Sequence, residues 1–299
     1  MLSILIPTYN AVCTDLVGQL LSEAETLDVP FEIVVADDGS RRDIEAANRT
    51  IGDRPHCRYL PSEGNVGPAR LRNRLATEAR YRYLLFLDAD TWPGSPSFLA
   101  DYLHQAQPGG VVCGGFRYRR ERPPSGKALR YYYGIRVEEK RADERNGQPY
   151  ARFISMNFLA DREVFSRVGF DDAMHFGYED AYFGVSLERA GVPLIHIDNP
   201  VFHLSLDTST EYLAKIRTSV ENLSRHIDKF RSSVRVVDWY DRLERRGWNG
   251  FVALVFRCTR TGLERNLTGR RPSLKLFAFY KLGYLCFIRA KTAGRQSLE

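Results

Sequence analysis

The chain has 299 residues, of which 43% are hydrophobic and 27% are charged, and its formal net charge is +6. This composition fits one large or two modest globular domains, and it excludes a disordered or fibrous protein. Because the N-terminus lacks a signal-peptide pattern, no apolar run reaches membrane-spanning length, and the five cysteines form no CxxC pair, we expect a cytoplasmic protein with free thiols.

Short apolar strands alternate with helical stretches over the first ninety residues. Strands are predicted at Ser3–Pro7, Phe31–Ala36, Cys57–Leu60 and Tyr83–Leu87, and helices at Asp15–Leu27, Asp43–Ile51 and Asn65–Ala79. This alternation predicts an α/β fold with a doubly wound, mainly parallel sheet. Ligands of such sheets bind beyond the carboxyl ends of the strands.

The remaining chain is less regular and then entirely helical. The predicted elements are strands at Val111–Tyr118, Phe153–Ala160 and Pro200–Leu204, a basic exposed loop at Arg117–Pro124, and helices at Glu179–Ala190, Tyr212–Phe230, Val234–Arg246, Trp248–Arg260 and Leu274–Ala290. We therefore expect an α/β domain over residues 1–205 and a helical extension over residues 206–299.

Two aspartates, Asp88 and Asp90, follow directly on the buried strand Tyr83–Leu87. Carboxylates two residues apart at a strand tip suit a hard cation that prefers oxygen ligands. Such a cation would neutralise phosphate oxygens of a leaving diphosphate. An ordinary acidic loop after a strand is the simpler alternative.

Two further polar clusters lie at predicted strand or helix ends. Asp37 and Asp38 precede Gly39, where they offer carboxylates to a base or ribose, although an Asp-Gly pair also makes a simple turn. The segment Gly64–Arg70 opens a helix whose free N–H groups favour an anion, with Arg70 and Arg72 in its first turns. An ordinary helix start is the alternative.

Two later positions are candidates for proton transfer and metal binding. Glu179 and Asp180 begin a helix, and a carboxylate there could accept a proton from an incoming hydroxyl. Acidic residues are also common in first helical turns for electrostatic reasons alone. His203, near the end of a short strand, could complete a metal site, although a single histidine is more often a surface or core residue.

Taken in order, these motifs resemble the family 2 glycosyltransferases of GT-A fold over about residues 1–205. The motifs that carry the resemblance are Ile4-Leu5-Ile6-Pro7-Thr8-Tyr9-Asn10, Val34-Val35-Ala36-Asp37-Asp38-Gly39-Ser40, Gly64-Asn65-Val66-Gly67-Pro68-Ala69-Arg70-Leu71-Arg72-Asn73, Leu87-Asp88-Ala89-Asp90 and Gly177-Tyr178-Glu179-Asp180. The resemblance implies a catalytic domain with a nucleotide-binding half, about residues 1–90, and an acceptor half, about residues 91–205.

The resemblance also implies a role for each matching residue. The residues implied to bind the nucleotide sugar are Pro7, Tyr9, Asp37, Asp38, Arg70, Asp88 and Asn157. Asp180, with Glu179 beside it, is implied to be catalytic, and Asp90 and His203 are implied to hold Mg²⁺ or Mn²⁺.

The expected activity is an inverting transfer of a sugar from a nucleoside diphosphate donor, most often a UDP-sugar, to a hydroxyl of a glycan or glycolipid. Asp180 would act as the base in that transfer. One alternative keeps the donor but uses a polyprenyl phosphate acceptor, whose anionic nucleophile needs no strong base. A non-enzymatic alternative is a basic nucleic-acid-binding protein, but the chain has no helix-turn-helix, zinc or RNA-recognition signature.

The helical extension is basic, with 19 Lys and Arg against 9 Asp and Glu after residue 205. Aromatic residues alternate with Arg and Lys over residues 247–299, a pattern that suits a helix lying on an anionic membrane surface. A helical subdomain that packs on the sheet or forms a homodimer explains the pattern equally well. A peripheral location on the inner face of the membrane therefore stays open beside the cytoplasmic one.

Overall fold

The computed structural model describes residues 1–296 apart from Arg122, Pro124, His175 and Ser232. The chain forms two compact units, which are described separately. The α/β unit consists of residues 1–119, 139–175 and 179–205, and the helical unit of residues 120–138, 176–178 and 206–299. Two short segments from within the first 205 residues thus belong to the helical unit.

The strands of the α/β unit are β1 (Leu2–Thr8), β2 (Phe31–Asp37), β3 (Cys57–Leu60), β4 (Tyr83–Leu87), β5 (Thr91–Pro93), β6 (Val111–Cys113), β7 (Phe116–Arg117), β8 (Asn157–Asp161), β9 (Leu194–His196) and β10 (Val201–His203). Its helices are α1 (Thr14–Ala24), α2 (Arg42–Arg49), α3 (Pro68–Glu78), α4 (Phe98–Gln105), α6 (Ala142–Asn146), α7 (Arg162–Arg167) and α8 (Glu179–Arg189). The helical unit contains α5 (Ala128–Tyr133), α9 (Ser209–Arg225), α10 (Arg235–Glu244), α11 (Asn249–Leu267) and α12 (Leu274–Gln296).

The main sheet has the order β3-β2-β1-β4-β8-β6-β9 over the described residues. Neighbouring strands are parallel except at β8, which runs antiparallel to both β4 and β6. Every residue of β1 and β2 is buried, as expected for central strands covered by helices on both faces. The predicted α/β fold with a mainly parallel sheet and a C-terminal helical region is confirmed.

The stretch predicted as one strand, Val111–Tyr118, is instead broken in the middle. Gly115 has φ 78°, a left-handed conformation that favours glycine and turns the chain out of the main sheet. The residues after it form β7 in a second, three-stranded sheet with the order β5-β10-β7. Of the predicted loop Arg117–Pro124, Arg117 lies in β7, and Arg122 and Pro124 fall outside the described residues.

The second sheet determines where His203 lies. Strand β10 pairs antiparallel with β5, and His203 is the partner of Thr91 in this register. Because Thr91 follows Asp90 directly, the pairing places His203 beside the acidic residues at the end of β4. The short predicted strand Pro200–Leu204 therefore exists, as β10.

Five helices of the helical unit enclose an aromatic core. Thr208 and Glu211 form a reciprocal capping box at the start of α9, which satisfies two otherwise unpaired N–H groups. On α12, Phe277 and Tyr280 are fully buried and Tyr284 is 7% exposed. These three aromatic residues of α12 thus belong to the core of this unit.

Across the part of the chain that is described, none of the helices is both long enough and apolar enough to cross a bilayer.

Asp161 connects three parts of the α/β unit. Its Oδ1 accepts the Glu163 N–H at 3.0 Å and caps α7, and its Oδ2 accepts the Gly109 N–H at 2.9 Å and the Arg82 guanidinium at 3.0 Å. Burial raises the pKa of this carboxyl, but the hydrogen bonds from Gly109, Glu163 and Arg82, together with the charge of Arg82, outweigh burial and hold the pKa below its usual value.

We expect Asp161→Asn to lower the free energy of unfolding by about 1–3 kcal/mol at neutral pH, because a neutral amide loses the charge-assisted bonds and turns an N–H group towards other donors. Since the folded-state pKa is depressed, the difference from wild type is complete above the unfolded-state pKa of about 3.9 and disappears as pH falls through the folded-state value. Urea unfolding at neutral and acidic pH, followed by circular dichroism, measures this difference. Asp143→Asn, which alters a carboxylate 69% exposed, is the matched control and should change little.

Candidate active site

Three parallel strands of the main sheet end in polar loops at one edge. Strands β2 and β4 flank β1, so the residues after Thr8, Asp37 and Leu87 lie side by side. The first two loops are joined directly, since the Asn10 N–H donates to Ser40 Oγ at 2.7 Å. The predicted convergence of polar strand ends is therefore present in the fold.

The two residues predicted at the end of β1 differ in exposure. Pro7 is buried within the strand, whereas the Tyr9 side chain is 55% exposed beyond it. Asn10 follows in a left-handed conformation with φ 53°, and its Oδ1 accepts the Arg41 N–H at 2.9 Å. This turn joins the loop that carries Tyr9 to the loop that follows β2.

Asp37 and Asp38 are both buried, at 1% and 3% exposure. Asp37 Oδ1 accepts the Ser40 N–H at 2.7 Å, and its Oδ2 accepts the Tyr59 hydroxyl at 2.9 Å. The Asp37 carboxylate thus closes the turn after β2 and joins it to β3. Its contact with a nucleobase stays a prediction.

Asp38 holds the loop that leads into α3. Its two carboxylate oxygens accept the N–H groups of Val66 and Gly67 at 2.7 and 3.0 Å. Burial raises the pKa of Asp38, and the two backbone hydrogen bonds offset part of that effect. Gly39, at φ 76°, lets the backbones approach here, because a Cβ at this position would lie 2.9 Å from the Gly64 carbonyl carbon.

The two arginines of early α3 have different surroundings. Arg70 is exposed, and its Nε donates to the Asp172 carbonyl at 3.2 Å. Arg72 is buried at 4% exposure, and its Nη2 donates to Asp88 Oδ1 at 2.6 Å. The guanidinium cation that reaches the end of β4 in this structure therefore belongs to Arg72.

Arg72 is surrounded by acidic residues. Burial lowers its pKa, but the charges of Asp88, Asp180 and Glu179 outweigh burial and raise it. Its Nε and Nη1 atoms are buried and have no hydrogen-bond partner among the described residues. Buried donors normally have hydrogen-bond partners. These two nitrogens are therefore candidates to donate to an anion bound at the strand ends.

Asp88 is the most strongly perturbed acid at this edge. Its pKa is raised to about 6; burial is the largest cause and raises the pKa, Arg72 lowers it, and the charges of Asp90 and Asp180 also raise it. Its backbone is fixed by the hydrogen bond from Asp88 N–H to the Met156 carbonyl at 3.0 Å. The mutual repulsion shows that several carboxylates converge here around one guanidinium.

Asp90 and His203 meet although 113 residues separate them in sequence. His203 Nε2 lies 3.0 Å from Asp90 Oδ2, and the Ser205 hydroxyl donates to the same oxygen. Burial raises the pKa of Asp90, but the bonds from His203 and Ser205 outweigh burial and lower it, so Asp90 stays ionised. The imidazole's other nitrogen, Nδ1, is buried and finds no hydrogen-bond partner in the described portion of the chain.

The Asp90–His203 pair has the chemistry and spacing of two ligands to one divalent cation. Two ligands at right angles and each about 2.1 Å from a cation lie about 3.0 Å apart, which matches the distance between Asp90 Oδ2 and His203 Nε2. No group of three or more His, Cys, Asp or Glu suited to a metal occurs among the described residues. A cation at this pair would therefore take its other ligands from the substrate and water.

Asp180 occupies the first turn of α8 beside Glu179. The Ser155 N–H donates to Asp180 Oδ2 at 3.2 Å, whereas Asp180 Oδ1 is buried and has no hydrogen-bond partner among the residues that the structure describes. Asp180 also contributes to the electrostatic environment of both Asp88 and Arg72. One carboxylate oxygen is thus held by the backbone, and the role of Asp180 as a base stays a prediction.

Asn157, at the start of β8, is buried and hydrogen-bonded to other residues of the protein. Its side chain is 2% exposed, its Oδ1 accepts the Tyr102 hydroxyl at 2.7 Å, and its Nδ2 donates to the carbonyls of Gly115 and Asn199 at 2.8 and 2.9 Å. The amide is used within the protein, where it connects the main sheet to the second sheet. A contact between Asn157 and the sugar stays a prediction.

The structure thus brings Asp88, Asp90, Asp180 and His203 to one edge of the sheet, as the sequence predicted. The sequence-based set of site residues omitted Arg72, Ser155 and Ser205. A signal for Arg72 was present, because it lies on the buried side of α3 with Ala69 and Leu75, where a charged residue requires a partner. No comparable signal marks Ser155 or Ser205.

Residues 3–169 match the family described as Glycosyl transferase family 2, and because the match covers more than half of the chain, the chain belongs to this family. The family and the fold predicted from the motifs are therefore confirmed. Membership in a family of transferases favours the enzymatic interpretation over that of a nucleic-acid-binding protein.

Two curated proteins are similar in sequence to this chain. Validoxylamine A glucosyltransferase of Streptomyces hygroscopicus subsp. jinggangensis (strain 5008) is 28% identical over 269 residues, which cover 80% of this chain and 63% of that protein. Its counterpart from Streptomyces hygroscopicus subsp. limoneus is 28% identical over 269 residues, covering 80% and 59%. The chain thus spans about three fifths of the length of the curated relatives it matches.

A solved structure shares the fold. Mannosyltransferase PcManGT from Pyrobaculum calidifontis, determined in complex with GDP-Man and Mn²⁺, is similar to this chain with a TM-score of 0.58 and 17% sequence identity. The similarity covers 97% of this chain and 86% of that structure.

Proposed function

We propose that this protein transfers a sugar, with inversion, from a nucleoside diphosphate donor to a hydroxyl group of a glycan or glycolipid. The observation that carries the proposal is the convergence of the Asp90–His203 pair, the buried Arg72 and the partly unsatisfied Asp180 at one edge of the sheet. A pair of residues that binds a cation, an arginine and a base can together support sugar transfer from a diphosphate donor.

The names of the similar proteins agree with this class of donor. One is a glucosyltransferase, and another is a mannosyltransferase in complex with GDP-Man and Mn²⁺. We propose a hexose as the transferred sugar and UDP as the nucleotide, with GDP as the alternative that the neighbouring structure raises. Pro7, Tyr9, Asp37 and Asp38 would form the nucleoside site, with the exposed Tyr9 ring covering the base.

Asp90 and His203 would hold Mg²⁺ or Mn²⁺. When bound, a divalent cation supplies positive charge that stabilises the diphosphate leaving group. Arg72 supplies a second positive charge at the same edge, and its two unpaired N–H groups offer hydrogen bonds to donor oxygens. Arg72 also neutralises part of the negative charge of Asp88, Asp180 and Glu179, which would otherwise repel an anionic donor.

Asp180 would take the proton of the acceptor hydroxyl as its oxygen attacks the anomeric carbon from the face opposite the diphosphate. The Ser155 N–H holds the carboxylate through Oδ2, and Oδ1 has no hydrogen-bond partner within the described part of the chain. An ionised carboxylate is sufficient as a base here, because the hydroxyl loses its proton only as the bond to carbon forms.

A panel of UDP-, GDP- and TDP-sugars, scored by thermal shift and by hydrolysis with and without Mn²⁺, tests the proposal. We expect one donor class to raise the melting temperature in a Mn²⁺-dependent manner, because binding to the folded state alone stabilises it.

His203→Ala should raise the Mn²⁺ concentration needed for this melting-temperature shift by about tenfold or more, since it removes one of two protein ligands. His104→Ala, which alters an exposed histidine on α4, is the matched control.

The proposal fails if no nucleotide sugar shifts the melting temperature with or without metal. If donors bind but His203→Ala and His104→Ala respond to Mn²⁺ alike, the metal assignment alone is wrong.

A further inference from the structure

Helix α11 of the helical unit carries an exposed apolar stripe. Phe251 is 63% exposed, Leu254 is 49% exposed, and Trp248, which precedes the helix, is 59% exposed. Trp248 and Phe251 are in edge contact, with ring centroids 6.4 Å apart. Since residues three and four apart share a helix face, these side chains and the exposed Cys258 form one continuous surface.

The opposite side of α11 packs into the core of the helical unit. Ala253, Phe256, Leu263 and Leu267 are buried there, and the Phe256 ring packs on Tyr280 and Tyr284 of α12. Packing of the helical unit therefore does not need the exposed stripe. Adjacent exposed aromatic side chains of this size on a surface commonly mark a binding face.

Positive charge surrounds the stripe. Arg245 and Arg246 precede Trp248 in the exposed turn between α10 and α11, and Arg257 lies exposed one turn beyond Leu254. No Asp or Glu occurs between residues 245 and 263, so nothing acidic on this stretch offsets these arginines. An apolar centre with a basic border is complementary to a surface whose anionic groups cover an apolar interior.

We propose that this face, composed of Trp248, Phe251, Leu254, Arg245, Arg246 and Arg257, binds the surface of an anionic lipid bilayer. The aromatic and leucine side chains enter the boundary between headgroups and acyl chains, and the arginines contact lipid phosphates. Tryptophan is the residue best suited to this boundary, because its ring is apolar while its N–H still reaches water. The proposal concerns the helical unit and is independent of the donor and of the chemistry at Asp180.

Cys258 provides a direct readout, because it lies on the same stripe and is exposed, while the other four cysteines are buried. The full-length protein is labelled there with an environment-sensitive fluorophore and mixed with vesicles of phosphatidylcholine alone or of phosphatidylcholine with phosphatidylglycerol. We expect a blue-shifted emission and co-sedimentation only with the anionic vesicles. Nitroxide groups on the acyl chains should quench the label, and high salt should weaken binding.

Two variants separate the apolar and electrostatic contributions. The double variant Trp248→Ser with Phe251→Ser should bind anionic vesicles at least about tenfold more weakly, and so should the triple variant Arg245→Gln, Arg246→Gln and Arg257→Gln. The controls are Leu276→Ser, on α12 at 37% exposure, and the pair Arg49→Gln with Arg189→Gln on the α/β unit. The changes at Arg49 and Arg189 remove positive charge without altering the face.

Vesicle binding that is equal in wild type and both face variants would overturn the proposal, as would equal binding to neutral and anionic vesicles. Sedimentation velocity without lipid tests the competing occupant, a second copy of the chain. If the face variants abolish a dimer and the wild type ignores vesicles, the face is a dimer interface and the lipid proposal is wrong.

Discussion

Asp180→Asn is expected to lower the rate of sugar transfer by about 10²- to 10⁴-fold while leaving donor affinity nearly unchanged. The amide has almost the shape of the carboxylate and can still accept the Ser155 N–H, but it cannot take a proton from the acceptor hydroxyl. The loss should therefore fall on turnover rather than on binding. Initial rates with a donor identified from the panel, together with calorimetric donor titration, measure the two quantities.

Two comparisons sharpen this experiment. Glu188→Gln alters an exposed acid on the last turn of the same helix and should leave turnover unchanged. Glu179→Gln tests the neighbouring acid, and a larger loss there than at Asp180 would assign the base to Glu179. If Asp180→Asn retained near-normal turnover, the hydroxyl acceptor would be in doubt, and an already anionic acceptor such as a polyprenyl phosphate would be favoured.

Arg72→Met is expected to have the second large effect, on both donor binding and stability. The change keeps an unbranched apolar stem but leaves Asp88, Asp180 and Glu179 without the guanidinium that neutralises them. Removing one partner of a buried ion pair typically lowers the free energy of unfolding by roughly 3–5 kcal/mol. We expect donor affinity to fall by about tenfold or more, because negative charge would then face the diphosphate.

Arg72→Lys keeps the charge but loses the planar fork, so it should retain the fold and lose part of the donor affinity. Arg74→Met alters a neighbouring arginine that donates to the Pro61 carbonyl and should have little effect on donor binding. Arg70→Met decides between the two arginines of early α3. A greater loss of donor affinity in Arg70→Met than in Arg72→Lys would show that Arg70 is the nucleotide contact, as the motif resemblance implied.

Several acidic residues of the candidate site were predictable because their neighbours in sequence determine their position. Continuous apolar runs make β1, β2 and β4 buried parallel strands, and polar residues directly after such strands must lie at their carboxyl edge. This reasoning identified Asp37, Asp38, Asp88 and Asp90 without any knowledge of the fold's details. It identified the edge on which the residues lie but not the partner of each carboxylate.

The same local reasoning could not assign side-chain partners. Asp38 accepts the N–H groups of the loop before α3, and Asn157 donates to the Gly115 carbonyl, contacts that the sequence did not predict. That both residues also bind the nucleotide sugar, as the resemblance implied, stays a prediction. Carboxylate and amide groups hydrogen-bond to backbone as readily as to ligands. Which partner is chosen depends on what the tertiary fold places within about 3 Å.

The sequence by itself determined the family, the α/β sheet and the acidic strand ends, because these follow from runs of neighbouring residues and from their order along the chain. Only the tertiary structure decided that His203 meets Asp90 and that Arg72 rather than Arg70 reaches Asp88. The first contact follows from the antiparallel register of β10 on β5, which pairs His203 with Thr91. The second depends on which side of α3 faces the sheet, since two residues along a helix turn a side chain to nearly the opposite side.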